Sequence, residues 1–205
     1  MNFLNGDWAS ALHHAQASSR LEAGNFLRGA GVGTLFRQLA YDGDKAAASA
    51  VLREKRSWLP RSGQANAMGS WWMLLQVIEG LVMLDEQPQA GQFYPLALEL
   101  VDTGAVVFWP IFRFTHTVAG MAAAAAHHWD AAEDHFQIAL HQAEPMPHRL
   151  EQAEIRRFHA MMLMDRALPG DRKRTTGLLS EARENYQEIG MTRHSEITQR
   201  LIHKA

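Results

Sequence analysis

Apolar residues in this chain recur at intervals of three and four between short polar breaks, which is the spacing of amphipathic α-helices. The runs Phe136–Leu140 and Leu178–Ile189 show the spacing clearly. Good helix formers dominate these segments, and almost no stretch has the alternation of a strand. The pattern predicts helices over residues 7–22, 25–41, 44–57, 64–84, 87–103, 108–126, 129–144, 147–166, 171–189 and 191–203.

Breaks between the predicted helices recur along the chain at Gly6-Asp7, Gly43-Asp44, Asp85-Glu86, His127-His128 and Gly170-Asp171. Intervals of about 36 to 43 residues, with two helices in each, are typical of helical repeat proteins. One such pair cannot bury its own apolar face, but stacked pairs form a continuous core. We therefore predict one all-α domain, residues 1–205, built as an α-solenoid of about four antiparallel helix pairs plus terminal helices.

The segment "VAGMAAAAAHHWDAAEDHFQIAL" resembles a tetratricopeptide repeat. Ala119-Gly120 stands where that family has Leu-Gly on its first helix, and Ala132, Phe136 and Ala139 follow the Ala-x3-Phe pattern of the second. Small side chains at Gly120 and Ala132 would let two helices approach, and Phe136 would fill the space between pairs. Looser copies are Ala48, Leu52 and Pro60, and then Ala90, Tyr94 and Ala97. The units exceed the family's usual length of about 34 residues, so the chain resembles a long-unit member.

Residues 165–196 carry a second, narrower resemblance, to the C-terminal helical repeats of large bacterial regulators. Those proteins combine a nucleotide cyclase or DNA-binding module with an ATPase module and then such repeats. The matching features are Pro169-Gly170-Asp171, Leu178-Leu179, Ala182, Tyr186 and Ile189-Gly190-Met191. The resemblance covers about the last 90 residues and implies a free-standing or excised repeat region.

Four glycines, Gly24, Gly29, Gly31 and Gly33, cluster around the start of the second predicted helix. They lack the Lys-Ser/Thr pair with which a phosphate-binding loop holds phosphate and magnesium. We therefore interpret them as positions of close helix packing.

Composition excludes several classes of protein. The formal net charge of −2 gives no bulk attraction to nucleic acid or to an anionic membrane. The absence of cysteine excludes disulfides and thiolate metal sites and fits a reducing compartment. The first ten residues lack the pattern of a signal peptide, and the most apolar stretch, 73–84, is too short and too polar to span a bilayer. We expect a cytoplasmic protein with no nucleic-acid and no membrane partner.

Histidine is frequent, with eleven copies, but no two histidines are three or four residues apart, as ligands on one helix would be. His128 and His135 are roughly 10 Å apart along a helix axis. Single histidine–carboxylate pairs occur at His127–Asp130, His141–Glu144 and His148–Glu151. No serine lies in a Gly-x-Ser-x-Gly elbow. We predict no metal, no cofactor and no enzymatic activity, and keep a helical-bundle metal-dependent hydrolase as the last alternative.

Trp71 and Trp72 are adjacent, so they lie about 100° apart around a helix and do not easily share one core. If Trp71 packs inward, Trp72 shares an outward stripe with Gln76 and Glu79, and the first helices of the other pairs present equivalent positions. These stripes would line a concave groove. The predicted partner-binding residues are Arg37, Trp72, Gln76, Glu79, Phe114, Thr117, Met121 and Arg157.

A groove lined by arginine, aromatic residues and methionine suits a protein partner, because such anchors contribute most of the energy at interfaces and methionine adapts to varied shapes. We therefore expect a non-enzymatic interaction or regulatory scaffold that binds a peptide, a helix, a partner domain or a second copy of the chain. The alternative is a small-molecule sensor, in which aromatic side chains enclose an apolar effector and binding shifts the stacking of the pairs.

Overall fold

The computed structural model describes residues 2–20, 26–108, 112–146 and 148–205. Helix accounts for 73% of the residues in these ranges, so the prediction of an all-α fold is confirmed. Residues Arg56–Trp58 form a short 3-10 turn. The helices are α1 (Trp8–Arg20), α2 (Ala30–Tyr41), α3 (Lys45–Lys55), α4 (Met68–Met83), α5 (Gln87–Gly91), α6 (Tyr94–Asp102), α7 (Thr115–Ala125), α8 (Trp129–Ala143), α9 (Arg149–Arg166), α10 (Asp171–Glu188) and α11 (Thr192–Ile202).

The helix predicted over 87–103 is two helices, α5 and α6. Pro95 lies in the first turn of α6. It has no amide hydrogen, so it cannot continue a helix from α5 but is accepted where a new helix starts. Gly91, the last residue of α5, meets the end of α7 closely, since a Cβ there would lie 2.9 Å from the Ala125 carbonyl oxygen.

The predicted start of helix 108–126 is wrong. Two short antiparallel strands, β1 (Val107–Phe108) and β2 (Arg113–Phe114), form a hairpin before α7. Phe112 has a φ of 50°, a left-handed conformation that a continuous helix does not contain. Pro110 and Pro147, which lie in the first turns of the helices predicted over 108–126 and 147–166, are outside the described ranges.

Three helices, α2, α4 and α7, end in the same turn at a spacing of 42 residues. The residues after the helices, Gly43, Asp85 and His127, have φ values of 77°, 58° and 59°. In each turn the next amide donates back across the last helical turn, which is the Schellman arrangement. These 2.9 Å bonds run from Asp44 N to Leu39 O, from Glu86 N to Leu81 O and from His128 N to Ala123 O. The remaining predicted breaks, Gly6 and Gly170, also have positive φ.

The helices α2, α4, α7 and α9 pack in a row, each against the next, and form the inner layer of the molecule. α3 packs beside α2, α5 beside α4, α8 beside α7 and α10 beside α9, as an outer layer. α1 packs on α2, and α11 packs on α10. Among the described residues, no helix combines the length and apolar character needed to cross a membrane.

Small residues set the spacing between helices, as predicted. A Cβ on Gly120 of α7 would lie 2.9 Å from the ring of Phe136 on α8, so the ring fills the space beside the glycine. Gly120, Ala132, Phe136 and Ala139 are buried and form what we call the α7–α8 junction. In α2, a Cβ on Gly33 would lie 2.8 Å from the Met73 Cα of α4, which supports the interpretation of the glycine cluster as close packing.

Candidate functional site

The structure places the predicted groove residues inside the molecule. Trp72 is half-buried, and the side chain of Arg37 is 13% exposed. The other six, Gln76, Glu79, Phe114, Thr117, Met121 and Arg157, are each at most 2% exposed. The expectation that these eight residues form an open concave surface is therefore corrected. Other parts of the chain cover the face of the helix row that carries most of them, which we call the inner face.

Five charged side chains meet at the centre of this face: Glu79 on α4, Arg113 on β2, and Glu151, Glu154 and Arg157 on α9. Each is at most 5% exposed. We call them the inner charge cluster. Because they come from three separate elements, they join the middle of the helix row to the hairpin that precedes α7.

Arg113 is the hub of the inner charge cluster. Its Nε and Nη2 donate to Glu79 Oε2 at 3.2 and 3.0 Å. Its Nη1 donates to Glu151 Oε2 at 2.7 Å, and Nη2 also donates to Glu154 Oε2 at 3.1 Å. One guanidinium thus links carboxylates from two helices.

Arg157 joins the cluster to two buried tyrosines. Its Nη2 donates to Glu154 Oε2 and to the Tyr41 hydroxyl, both at 2.7 Å, and its Nε donates to the Tyr186 hydroxyl at 3.1 Å. The Tyr186 hydroxyl donates to Glu154 Oε1 at 2.6 Å, and the Tyr41 hydroxyl donates to Glu79 Oε1 at 2.8 Å. The network therefore extends from α2 to α10.

Every carboxylate oxygen of the cluster accepts a hydrogen bond. The last one, Glu151 Oε1, accepts from the Phe114 amide at 3.0 Å and from the Thr117 hydroxyl at 2.7 Å. Buried ions need this degree of pairing, because the cost of removing them from water is several kcal/mol each. With all acceptors engaged, the arrangement is suited to fixing helix positions and is poorly suited to activating water or a nucleophile.

The charges in the cluster are balanced. Arg37 lies 3.7 Å from Glu79, so three guanidiniums face three carboxylates. Burial alone would raise the pKa of Glu154, but Arg157 and Arg113 outweigh burial and hold that pKa well below its usual range. Burial is likewise outweighed by Arg113 and Arg37 at Glu79, whose pKa is lowered. For Glu151, burial dominates and raises the pKa despite Arg113.

The N-terminal segment covers the inner face next to the cluster. The Phe3 ring lies 5.0 Å from the rings of both Tyr41 and His194, and the guanidinium of Arg37 lies 4.8 Å from its centre. Trp8 stacks on Phe3 at 5.8 Å, and its Nε1 donates to the Phe3 carbonyl at 3.1 Å. We call Arg37, Tyr41 and His194 the aromatic seat. Two apolar anchors from residues 2–8 occupy it.

His194 forms the α11 wall of this seat. It is 1% exposed, and its Nε2 lies 3.9 Å from Glu154 Oε1. Burial lowers the pKa of His194 to about 4, against the opposing effect of Glu154. The imidazole is therefore neutral at physiological pH, and Phe3 packs on an uncharged ring.

A histidine pair joins α7 to α8. The Nδ1 atoms of His116 and His135 are 2.9 Å apart, and the Tyr94 hydroxyl lies 3.3 Å from His135 Nε2. Burial lowers the pKa of both histidines, that of His135 to about 4. Spacing within one helix does not reveal this pair, because its members lie on different helices. In the part of the chain that the structure describes, no group of three or more histidine or carboxylate side chains is arranged to hold a metal ion.

The sequence carried one usable signal for the cluster. Glu151, Glu154 and Arg157 recur at intervals of three on a helix that also buries Ile155 and Phe158. Charges on the buried face of a helix require buried partners, so this stripe indicated an internal ion network. The partner Arg113, the two tyrosines of the network, Tyr41 and Tyr186, and the seat residue His194 carry no such local signal.

Comparison with protein-family models, with curated proteins and with solved structures finds no match to this chain.

Proposed function

We propose that this protein is a non-enzymatic interaction scaffold, an α-solenoid of long tetratricopeptide-like units whose inner face binds a segment of a protein partner. The row α2–α4–α7–α9 supports this reading, because consecutive first helices adjoin one another in such arrays. The turn that recurs every 42 residues after α2, α4 and α7 supports it as well.

One observation carries the proposal: the N-terminal segment occupies the inner face in the manner of a bound peptide. Phe3 and Trp8 insert into the aromatic seat, whereas in α1 Ala15 alone is fully buried. Few aromatic anchors and a largely exposed remainder are the usual anatomy of a peptide in a groove. The seat is thus built for a pair of aromatic side chains.

In this mechanism a partner segment with a similar aromatic pair replaces Phe3 and Trp8. The inner charge cluster holds Tyr41 in place through Glu79 and Arg157, so the seat keeps its shape when its occupant changes. A preorganised site loses less entropy on binding than a flexible one.

The tethered segment regulates access to the seat. A segment linked to its own site competes at an effective concentration on the order of millimolar. A partner must therefore bind tightly, or draw the N-terminal segment away by contacts of its own. The segment of a second copy fits the same seat, so exchange of segments between two copies would form a homodimer.

The test uses a fluorescein-labelled peptide with the sequence of residues 2–20 and the full-length chain. The variant F3A/W8A empties the seat, and we expect it to bind the peptide at least about tenfold more tightly than the wild type does, because the tethered competitor is weakened. A peptide that carries alanine in place of Phe3 and Trp8 should not bind. Circular dichroism checks that the variant remains helical.

A matched control is I138A/L168A, which removes two exposed apolar side chains. One lies on α8, and the other lies between α9 and α10. It should bind the peptide as weakly as the wild type. The proposal fails if the helical F3A/W8A chain does not bind the peptide, or if both peptides bind it equally.

The second candidate is the small-molecule sensor, favoured by a cavity of about 560 Å³ next to the N-terminal segment. Its wall includes Leu4, Phe112, Met146, Leu150 and Met191. An apolar effector there would contact Leu4 and so bias how the segment sits. A thermal-shift screen with apolar metabolites tests it: stabilisation that a filling variant, Leu4→Trp, abolishes supports the sensor, and a flat response rejects it.

A further inference from the structure

Exposed cations gather on the outer layer where α3 ends. Arg53, Lys55, Arg56 and Arg61 lie within ten residues of chain, around the half-buried Trp58. Lys55 pairs with Glu54 and lies 4.7 Å from the centre of the Trp58 ring. Among the described residues, the guanidiniums of Arg53, Arg56 and Arg61 contact no carboxylate within ion-pair distance, in a chain whose net charge is −2. We call residues 52–61 the basic ridge.

Two hollows border the basic ridge. One, of about 300 Å³, has Arg53 and Arg56 at its rim and a floor that includes Phe36, Leu52 and Leu81. The other, of about 590 Å³, is open and lies between Trp58 and Arg61 of the ridge and Phe26. Phe26 is 66% exposed. Since the ridge lines both hollows, an extended occupant that follows it reaches both.

We propose that the basic ridge is a second docking surface, which binds an acidic segment of a partner protein with apolar residues between its carboxylates. The carboxylates pair with Arg53, Arg56 and Arg61, since arginine binds carboxylates with two parallel hydrogen bonds. An aliphatic side chain enters the smaller hollow, and an aromatic one packs on Phe26 in the larger. This surface lies on the outer layer and does not depend on the seat of Phe3 and Trp8.

The position of the cations at a helix end does not account for them. Basic residues in a last turn stabilise the helix dipole, which explains Arg53 and Lys55. Arg56 is the C-cap residue of α3, and Arg61 lies further along the chain, beyond the reach of that effect. Their charges remain available to an external anion.

The occupant is a peptide in preference to a nucleic acid. A phosphate chain has no apolar group to place in the smaller hollow, whose floor of Phe36, Leu52 and Leu81 is apolar. A leucine or phenylalanine side chain between two carboxylates satisfies both the floor and the arginines.

The experiment measures fluorescence anisotropy of a fluorescein-labelled peptide, Glu-Glu-Leu-Glu-Glu-Phe-Glu-Glu, with the full-length chain. We expect binding that weakens as salt is added. The variant R53Q/R56Q should bind at least about tenfold more weakly, because it loses charge-assisted hydrogen bonds. The matched control R172Q/K173Q removes two exposed cations from α10 and should change affinity less than about twofold.

Two further probes separate the contributions of charge and apolar contact. A peptide with serine in place of leucine and phenylalanine should bind the wild-type chain more weakly than the original peptide does. The F26A variant of the chain should in turn bind the original peptide more weakly than the wild type does. The proposal is overturned if the wild type does not bind the acidic peptide, or if R172Q/K173Q weakens binding as much as R53Q/R56Q does. It is also overturned if a single-stranded oligothymidine binds more tightly than the peptide and loses affinity in R53Q/R56Q.

Discussion

The inner charge cluster and the α7–α8 junction are both buried, yet they hold helices together by opposite means. At the junction Gly120 faces the Phe136 ring, and these two residues are held by close packing. At the cluster, guanidiniums and carboxylates from α4, β2 and α9 are removed from water and hydrogen-bond to one another instead. Packing tolerates small adjustments, whereas a buried ion that loses its partner does not. The two regions should therefore respond very differently to single substitutions.

The largest effect should follow removal of the hub. Arg113→Met keeps most of the side-chain volume but leaves Glu151 without its cation and Glu79 with Arg37 alone. We expect a loss of about 3–5 kcal/mol in the free energy of unfolding, measured by urea denaturation, because buried charges are left uncompensated. Arg149→Met, which breaks the exposed ion pair with Glu188, should cost at most about 1 kcal/mol. If the two variants lose equal stability, the cluster is not the main tie of the inner face.

At the junction, Gly120→Ala should cost about 1–3 kcal/mol, since the new methyl group would lie 2.9 Å from the Phe136 ring and overpack the site. Gly177→Ala is the matched control. Gly177 lies in α10 with open space where its Cβ would be, so alanine there should stabilise the helix slightly.

The double variant G120A/F136L decides whether the cost is steric. The smaller leucine side chain frees room for the methyl group, so the two substitutions together should cost less than the sum of their separate costs. Strict additivity, measured by urea denaturation, would show that the glycine does not act through the ring.

Acid should lower the stability of the protein through His194, which lies beside Glu154 of the inner charge cluster. The pKa of His194 is lowered to about 4 in the folded protein and is near 6.5 in the unfolded chain. Between these values only the unfolded chain takes up the proton, so stability falls as the pH drops. Between pH 7 and pH 5 this group should account for a loss of about 2 kcal/mol.

His194→Gln should remove that part of the pH dependence, whereas His13→Gln, at an exposed site on α1, should leave it unchanged. The measurement is urea denaturation at both pH values. Equal slopes in wild type and His194→Gln would contradict the assignment of the pH dependence to this imidazole.

The packing at the α7–α8 junction could be predicted from the sequence, whereas the pairing in the inner charge cluster could not. Gly120, Ala132 and Phe136 lie close together in the sequence, and their spacing is a local pattern, so their packing could be anticipated. The cluster joins residues that are 34 to 41 positions apart. No local pattern indicates which distant charge a buried Glu79 will meet.

The hairpin and the covering segment escaped prediction for a related reason. Arg113 reaches the cluster because β1 and β2 interrupt the pattern before α7, whereas apolar spacing alone predicted continuous helix. Phe3 lies before the first of the recurring breaks and Trp8 just after it, and the repeat rhythm gave no indication that they would cover the inner face. The stripe that was predicted to be open is therefore buried.

The smallest effects should come from the turn that both regions share. At the end of α4, the helix that carries Glu79, the turn places Asp85 at a φ of 58°. At the end of α2, the helix that carries Tyr41, the same turn places Gly43 at a φ of 77°. A left-handed conformation costs an L-residue about 1–2 kcal/mol relative to the glycine that accepts it freely. Asp85→Gly should therefore raise the free energy of unfolding by about 1 kcal/mol, and Gly43→Ala should lower it by about the same amount.

Both changes leave the side chains of the cluster and of the junction untouched, and Gly43 has open space around it. Any effect is therefore due to the backbone, and urea denaturation of the two variants measures it directly. Opposite signs would show that the repeated turn is one conformation that glycine fits best and that the positions 42 residues apart are equivalent. If Asp85→Gly instead destabilised the protein, the Asp85 side chain would have a role of its own, and the equivalence of the turns would be lost.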